Sequence, residues 1–367
     1  MKINYVKENL RKITYEDDFP EYMTEKHAED IAEVFNTPLT GSYNWDYRIQ
    51  DNRIKRLYEL GKELNWNVEM DINWDRPYEE LKEPFPIFWD DYPPYKKMSD
   101  AQKLDFLKHR QSWSMSQFLH GEQGAVLVAS QLTSCAPTFN AKLYAASQTF
   151  DEARHVEAFN KYIQTRMKLM YPIGNELKSI LDKILTDERW DLKFIGMQII
   201  IEGLALAAFN NMKVILNDGL LKQLLHYVIR DEARHVTFGV NYLEDYLKTL
   251  TKAEIEDRAQ FAFEACVVMR DRLITGDVIS RFLDISKEEA TRITANSQQG
   301  EHFKNMLFTK IIPNLTRIGL ITDKVKPKYD KLGVLSYQEM EDNFQPDWAE
   351  ISKPYETQEE IEKAIGI

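Results

Sequence analysis

The chain has 367 residues, enough for one large domain or two ordinary ones with a substantial core. Hydrophobic residues make up 43% of it and charged residues 29%, a composition typical of globular rather than disordered proteins. Its net charge of -12 argues against a nucleic-acid partner, which would require a basic face. Cys135 and Cys266 form neither a metal motif nor a disulfide framework, so we expect a reduced, cytoplasmic protein.

The apolar stretches predict neither a secretory signal nor a membrane span. The first residues, MKINYVKENLRK, lack the apolar core of a signal peptide. The longest apolar stretch, at 194–209, is too short to cross a bilayer and carries Glu202.

The chain divides into three parts that together predict one all-α domain. Residues 1–98 are aromatic-rich and irregular, with a predicted helix at 52–64, and we expect them to form an N-terminal extension packed on the bundle. Residues 99–250 predict four helices separated by breaks at CAPT, YPIG and LNDG: about 100–134, 138–170, 187–216 and 219–249. Residues 251–367 predict helices at about 252–275 and 287–318 and a wrapping C-terminal tail. This pattern indicates a four-helix bundle with extra N- and C-terminal helices.

A repeated motif identifies the chemistry of the bundle. The letters DEARHV occur at 151–156 and again at 231–236, an offset of 80 residues. A glutamate precedes each copy by 29 residues. Two carboxylates and one imidazole therefore recur as a set: Glu122, Glu152 and His155 in the first copy, and Glu202, Glu232 and His235 in the second.

The spacing of this set predicts that its members face one another. The midpoint between Glu122 and Glu152 is Pro137, in a predicted turn, and the midpoint of the second pair is Asn217, in another. An antiparallel hairpin bent at such a midpoint brings its two glutamates to the same height. Each histidine follows its glutamate by three residues and shares its helix face. Both hairpins thus offer two carboxylates and one imidazole to a common interior.

Four carboxylates and two imidazoles inside a bundle are costly unless they bind something. Two divalent cations would balance the four negative charges, and mixed carboxylate and imidazole donors suit iron or manganese. We expect four flanking side chains to support the ligands from behind: Asp151, Arg154, Asp231 and Arg234. Each aspartate would accept a hydrogen bond from the remaining ring N–H of a ligand histidine, and the histidine of the opposite hairpin is one candidate.

The doubled pattern E-x28-D-E-x-R-H resembles the signature of ferritin-like di-iron proteins. That superfamily includes soluble bacterial monooxygenases, acyl-carrier-protein desaturases, ribonucleotide reductase small subunits and p-aminobenzoate N-oxygenase. The stretches SQFLHGEQGA and GMQIIIEGLALAAF are similar to bacterial ferritin-like proteins of the aminobenzoate-oxygenase type. The resemblance implies a ferritin-like bundle with two iron ions that cycle between Fe2+ and Fe3+, with manganese an option at one position.

Four positions depart from the patterns of individual families. Phe159 stands where a radical tyrosine is typical of ribonucleotide reductase subunits. Leu206 and Ala205 replace the threonines typical of hydrocarbon monooxygenases and desaturases, and Val228 replaces an extra histidine ligand of the N-oxygenase. The resemblance therefore implies the metal chemistry but does not identify a substrate.

Several residues are candidates to line a substrate pocket beside the metals, although core packing explains them about equally well. They lie at helical spacing from the ligands: Phe118, Val126, Phe159, Gln198, Ala205, Leu206 and Phe209. Tyr162 and Tyr242 each follow a ligand histidine by seven residues and would either line the pocket or belong to the core.

The leading hypothesis is an O2-activating di-iron enzyme that hydroxylates, N-oxygenates or desaturates a small organic or acyl substrate. The sequence has no flavin or iron–sulfur motif, so a separate reductase or ferredoxin is implied, and a homodimer is compatible with the pattern. A ferroxidase or iron-storage protein is one alternative, and a di-iron or Mn/Fe radical-generating subunit is another. About 100 residues before the bundle and 120 after it favour an enclosed substrate site.

Overall fold

A computed structural model describes residues 41, 47, 49, 51–77, 79, 92–271, 276–295 and 305–356. The regular structure within these ranges is helical, without strands. Most of the expected N-terminal extension, the end of the predicted tail and the segments at 272–275 and 296–304 lie outside the described residues.

The helices are numbered in chain order, as follows: α1 Asn52–Glu63, α2 Pro93–Lys96, α3 Asp100–Cys135, α4 Phe139–Tyr162, α5 Asn175–Thr186, α6 Trp190–Ile215, α7 Gly219–Leu247, α8 Lys252–Asp271, α9 Gly276–Leu283, α10 Lys287–Ala295, α11 Ile312–Arg317, α12 Lys326–Lys331 and α13 Trp348–Ile351. Short 3₁₀ turns occupy Leu307–Thr309 and Leu335–Glu339.

The four longest helices form two hairpins, α3–α4 and α6–α7, which confirms the predicted bundle. A capping box starts α3, since Ser99 and Gln102 each accept a hydrogen bond from the other's backbone N–H. Thr138 caps the start of α4 and Asp218 caps the start of α7. The chain therefore turns at the two midpoints expected from the sequence.

Two of the bundle helices contain π-helical turns that the sequence did not reveal. In α6 the π segment covers Ile195–Ile201 and ends directly before Glu202. A second π segment, Ile163–Met167, extends α4 beyond Tyr162 and stops at Lys168, whose φ is 55°. The wider turns rotate the flanking residues relative to a regular helix, and such turns often occur at functional sites.

Helix α6 is the one helix in the described part that is long and apolar enough to cross a membrane. Its most apolar window has a mean hydropathy of 1.7, and every residue of that window is buried inside the protein. The apolar window is therefore explained as part of the protein core, although the end of α6 carries the exposed Val214.

The C-terminal region differs from its predicted single helix at 287–318. The described residues there form α10, a 3₁₀ turn and α11 instead. Pro313 at the start of α11 has no N–H to continue a preceding helix, which explains the new start. This region packs on the bundle: a Cβ at Gly203 of α6 would lie 3.3 Å from Ile311.

Candidate metal centre

The six repeated side chains converge inside the bundle. Helix α3 supplies Glu122, α4 supplies Glu152 and His155, α6 supplies Glu202, and α7 supplies Glu232 and His235. All six are buried, and the most exposed of them, Glu122, has only 5% of its surface accessible.

These side chains form two overlapping groups that could each hold a metal ion. Glu122, Glu152, His155 and Glu232 form the first group, with ligand atoms within 4.8 Å of one another. The second group, by the same measure, contains Glu152, Glu202 and His235. Glu152 belongs to both groups and would therefore lie between two ions.

The ring nitrogen Nδ1 of each histidine points into the cluster. In the first group, His155 Nδ1 lies 3.1 Å from Glu122 Oε2 and 3.2 Å from both Glu152 Oε2 and Glu232 Oε1. In the second, His235 Nδ1 lies 3.0 Å from Glu152 Oε1 and 3.9 Å from Glu232 Oε2.

Two buried carboxylate oxygens of the cluster, Glu202 Oε2 and Glu232 Oε2, have no hydrogen-bond partner among the described residues. A buried polar atom without a partner is costly, so such atoms require an explanation. Carboxylate oxygens and an imidazole nitrogen are suitable donors for iron or manganese. The residues therefore fit a pair of metal ions.

The raised pKa values of two glutamates and both histidines indicate that the metal-free cluster favours the binding of positive charge. Burial, and then the charge of Glu232, raise the pKa of Glu122 to about 8. Burial, followed by the neighbouring glutamates, also raises the pKa of Glu202 well above its usual value. Despite burial, which opposes it, the surrounding carboxylates raise the pKa of both His155 and His235. Without metal, protons must supply the charge that cations would provide.

Behind each histidine lies the aspartate of the other hairpin. His155 Nε2 is 3.1 Å from Asp231 Oδ2, and His235 Nε2 is 3.2 Å from Asp151 Oδ2. Each aspartate holds its histidine in the orientation that presents Nδ1 to the cluster.

Two arginines connect the aspartates. Arg234 Nη2 donates to Asp151 Oδ2 at 2.9 Å and to Asp231 Oδ1 at 2.7 Å. Arg154 Nη2 also contacts both carboxylates, at 2.5 Å for Asp151 and 3.2 Å for Asp231. Four charged side chains thus link the two hairpins beneath the histidines.

Trp66 extends this arrangement on one side only. Its indole Nε1 donates to Asp231 Oδ2 at 2.7 Å. The ring of Tyr227 stacks on Trp66 with centroids 5.2 Å apart. The hydrogen bonds to the Asp151 carboxylate within the described residues come from Arg154, Arg234 and His235.

Gln148 is a further residue that sequence reasoning missed. Its Nε2 donates to Glu202 Oε1 at 2.9 Å and to Glu152 Oε1 at 3.2 Å. It precedes Glu152 by four residues on α4, which is the spacing that places two side chains on one helix face. That spacing was the available signal.

Among the predicted pocket residues, three phenylalanines pack against one another. The ring of Phe118 lies 4.7 Å from that of Phe209 and 6.4 Å from that of Phe159, and Phe159 lies 5.6 Å from Phe209. Of the remaining non-tyrosine candidates, Val126 is half-buried, whereas three others are buried: Gln198, Ala205 and Leu206.

Both predicted pocket tyrosines have hydrogen-bonded hydroxyls. The hydroxyl of Tyr162 donates to Asp218 Oδ2 at 2.7 Å, beside the cap of α7. The hydroxyl of Tyr242 lies 3.1 Å from Thr138 Oγ1 at the start of α4. These contacts tie the tyrosines to the ends of the bundle helices.

An all-α bundle that brings four glutamates and two histidines together defines the class of ferritin-like di-metal carboxylate proteins. A family model described as P-aminobenzoate N-oxygenase AurF matches residues 49–319, which is more than half of the chain. The chain therefore belongs to this family.

Comparison with solved structures finds more distant similarity. An R2-like ligand-binding oxidase variant with an anaerobically reconstituted Mn/Fe cofactor is 17% identical, with a TM-score of 0.45. The similarity covers 74% of this chain and 94% of that one. An R2-like ligand-binding oxidase with an aerobically reconstituted metal cofactor after photoconversion is also 17% identical, with a TM-score of 0.44 and the same coverage. A search of curated proteins finds no match.

Family membership and the buried carboxylate–histidine cluster identify the chain as an O2-activating di-iron oxidoreductase. The fold class, the metal chemistry and the enzyme class predicted from the sequence are confirmed.

Proposed function

We propose that Glu122, Glu152, His155, Glu202, Glu232 and His235 ligate two iron ions, Fe2+ in the reduced and Fe3+ in the oxidised enzyme. Manganese is an alternative occupant of one position. The observation that carries this proposal is the pair of overlapping ligand groups that share Glu152 and leave buried oxygens without partners. When bound, the metal pair supplies the activation of O2 for oxidation of a substrate.

The protein's own contribution is positioning and exclusion of water. Asp151 and Asp231 fix the two histidine rings, and Arg154 and Arg234 hold the aspartates in place. The six proposed ligand side chains are all buried, with at most 5% of their surface accessible, so bulk water is kept from them. Rigid ligands in a dry site preserve the geometry through the reaction.

We propose a small, largely apolar substrate, with aromatic amines as the first class to test and acyl chains as the second. The matching family is described as a p-aminobenzoate N-oxygenase, which supports the aromatic amine. Phe118 and Phe159 each lie four residues from a member of the first ligand group, and their rings would suit a flat apolar molecule. Val228 stands where the N-oxygenase has an extra histidine ligand, so p-aminobenzoate itself is one test compound among several.

The test of the proposed function is the reaction of reduced, iron-loaded protein with O2 in a stopped-flow spectrometer. Aromatic amines, aromatic hydrocarbons and fatty-acyl compounds are added in turn. A substrate is expected to accelerate the decay of the optical change that follows O2 addition and to yield a product containing isotopically labelled oxygen from O2. Assembly into iron-filled cages without any oxidised organic product would instead support the storage alternative.

We also propose that the protein is cytoplasmic and can form a homodimer. Electrons are proposed to come from a separate reductase or ferredoxin and to enter on the side of Trp66. Among the described residues, the half-buried Tyr227 leads to the cluster through Trp66, Asp231 and His155. Their contacts are a ring stack followed by two hydrogen bonds, so the connection is continuous. Arg154 lies 5.2 Å above the Trp66 ring and fixes it against the bundle.

Replacing Trp66 tests this route. Trp66→Phe removes the indole N–H that donates to Asp231 while keeping an aromatic ring in the core. We expect metal content to stay at the wild-type level and the rate of reduction by a ferredoxin-type donor to fall at least about tenfold, equivalent to about 1.4 kcal/mol of barrier. Stopped-flow reduction of the oxidised protein measures this rate.

Trp74→Phe is the matched control. Trp74 lies in the same segment, and its indole donates to the backbone oxygen of Val68 instead of the cluster. Equal reduction rates in wild type and both variants would contradict a route through Trp66.

A further inference from the structure

The surroundings of the two ligand groups depart from the internal repeat, and three of the departures meet at one place. At the offset of 80 residues, Gln148 corresponds to Val228, Phe118 to Gln198, and Phe159 to Gly239. The six ligands repeat without change, so these differences concern only what surrounds them. One half of the centre is lined by aromatic rings and the other by two amides.

The two amides form a connected pair. Gln148 Nε2 donates to Glu202 and Glu152, and Gln148 Oε1 accepts a hydrogen bond from Gln198 Nε2 at 3.3 Å. Both glutamine side chains are fully buried. Gly239 makes room for the pair, because a Cβ at this position would lie only 2.6 Å from Gln198 Cβ. Three departures from the repeat therefore combine to build one feature.

Gln148 determines which carboxylate oxygens are free. It donates to Glu202 Oε1, while Glu202 Oε2 has no hydrogen-bond partner among the described residues. Its second contact is Glu152 Oε1, the oxygen that lies 3.0 Å from His235 Nδ1. At the other end of the centre, Glu122 forms a hydrogen bond with His155, which belongs to the same ligand group. Glu202 is thus held from outside its group, whereas no described residue outside the first group donates a hydrogen bond to Glu122.

The second ligand group also contains fewer closely spaced ligands than the first. It contains three residues, and Glu232 Oε2 lies 3.9 Å from His235 Nδ1, whereas the first group contains four residues in close contact. A position with fewer close ligands depends more strongly on each of them being held in place. Outer partners of metal ligands typically contribute 10–100-fold to metal affinity.

We propose that Gln148 is a positioning residue that pre-forms the metal position at His235, so that the two positions differ in metal affinity and in their dependence on this amide. The inference rests on the proposed di-metal function. Gln148 holds Glu202 with Oε2 left for the ion, and it holds Glu152 by the oxygen that faces His235. Gln198 in turn holds Gln148. The oxygen of Glu152 that faces His155 is Oε2, which receives no hydrogen bond from Gln148, so the His155 position binds its ion without help from either amide.

The test variant is Gln148→Val, which copies the residue found in the other half of the repeat. Gln117→Val is the matched control, because Gln117 is also buried but its amide contacts the backbone of Pro172 and Gly174. Metal-free protein is titrated with Mn2+ alone, and bound ions are counted by equilibrium dialysis and electron paramagnetic resonance. We expect wild type and Gln117→Val to bind two ions, whereas Gln148→Val binds one normally and the other with about 10–100-fold lower affinity.

Two histidine variants assign the affected position. His155→Ala leaves the His235 position, and there Gln148→Val should lower Mn2+ affinity. His235→Ala leaves the His155 position, and there Gln148→Val should have no effect. Gln148→Met, which keeps the length of the side chain without its hydrogen-bond donors, replaces Gln148→Val if the latter does not fold.

Loss of affinity in both histidine backgrounds, or in neither, would overturn the role of Gln148 while leaving the di-metal function intact. Wild-type protein that binds fewer than two Mn2+ ions would instead overturn the di-metal assignment itself. Circular dichroism of the metal-free variants checks that each comparison is made between folded proteins.

Discussion

Glu152→Ala is expected to abolish binding of both metal ions and with it all O2-dependent activity. Glu152 is the one side chain that both ligand groups contain, and each of its oxygens lies within 3.2 Å of a different histidine Nδ1. Its loss should lower affinity by more than about 100-fold, the upper limit typical of a residue that only supports a ligand. Metal analysis after gel filtration and a Mn2+ titration measure the effect.

Glu122→Ala provides the internal comparison, because Glu122 belongs to the first group alone. This variant should bind one metal ion with lower affinity and bind the other normally. Glu157→Ala is the matched control: this glutamate lies on α4 as well but on the exposed face. Two normally bound ions in Glu152→Ala would refute the shared position of Glu152.

Metal affinity is expected to rise with pH up to about 8, while the stability of the metal-free protein falls over the same range. The pKa of Glu122 is raised from 4.5 to about 8 in the folded, metal-free protein. Between these values the folded state binds a proton that the unfolded state has lost, so stability decreases as pH rises. The raised pKa values of His155 and His235 act in the same direction, because deprotonation of these rings costs more in the folded state.

Metal binding reverses this dependence because the ligands must be deprotonated, and binding therefore releases protons. Urea denaturation of metal-free and metal-loaded protein between about pH 6 and pH 8 measures both trends. Calorimetry in buffers with different ionisation enthalpies counts the protons released. Glu122→Gln should reduce the pH dependence of the metal-free protein, since the amide imitates the protonated acid. Metal-free protein that becomes more stable between pH 6 and pH 8 would contradict the prediction.

The helical architecture could be predicted well where the sequence is periodic and its breaks are clear. The turns near Pro137 and Asn217 fixed the lengths of α3, α4, α6 and α7 to within a few residues, apart from the C-terminal end of α4. Helix α5 and the break before α11 were missed, although Pro313 at the start of α11 is a local signal for such a break. The π turn before Glu202 was missed as well, since a wider helical turn leaves no mark in the spacing of apolar residues.

The sequence by itself determined the six candidate ligands, because they recur at one offset and the spacing of a hairpin places them at one height. It also indicated that an aspartate of one hairpin could face the histidine of the other. Only the tertiary structure decided how the two halves differ. Trp66 reaches Asp231 from 165 residues away, and Gln148 reaches Glu202 across 54 residues. Such contacts depend on the packing of helices against each other, and no local periodicity records them. Repetition in the sequence thus specified two matching sets of candidate ligands, whereas non-local packing made the surroundings of the two sets unequal.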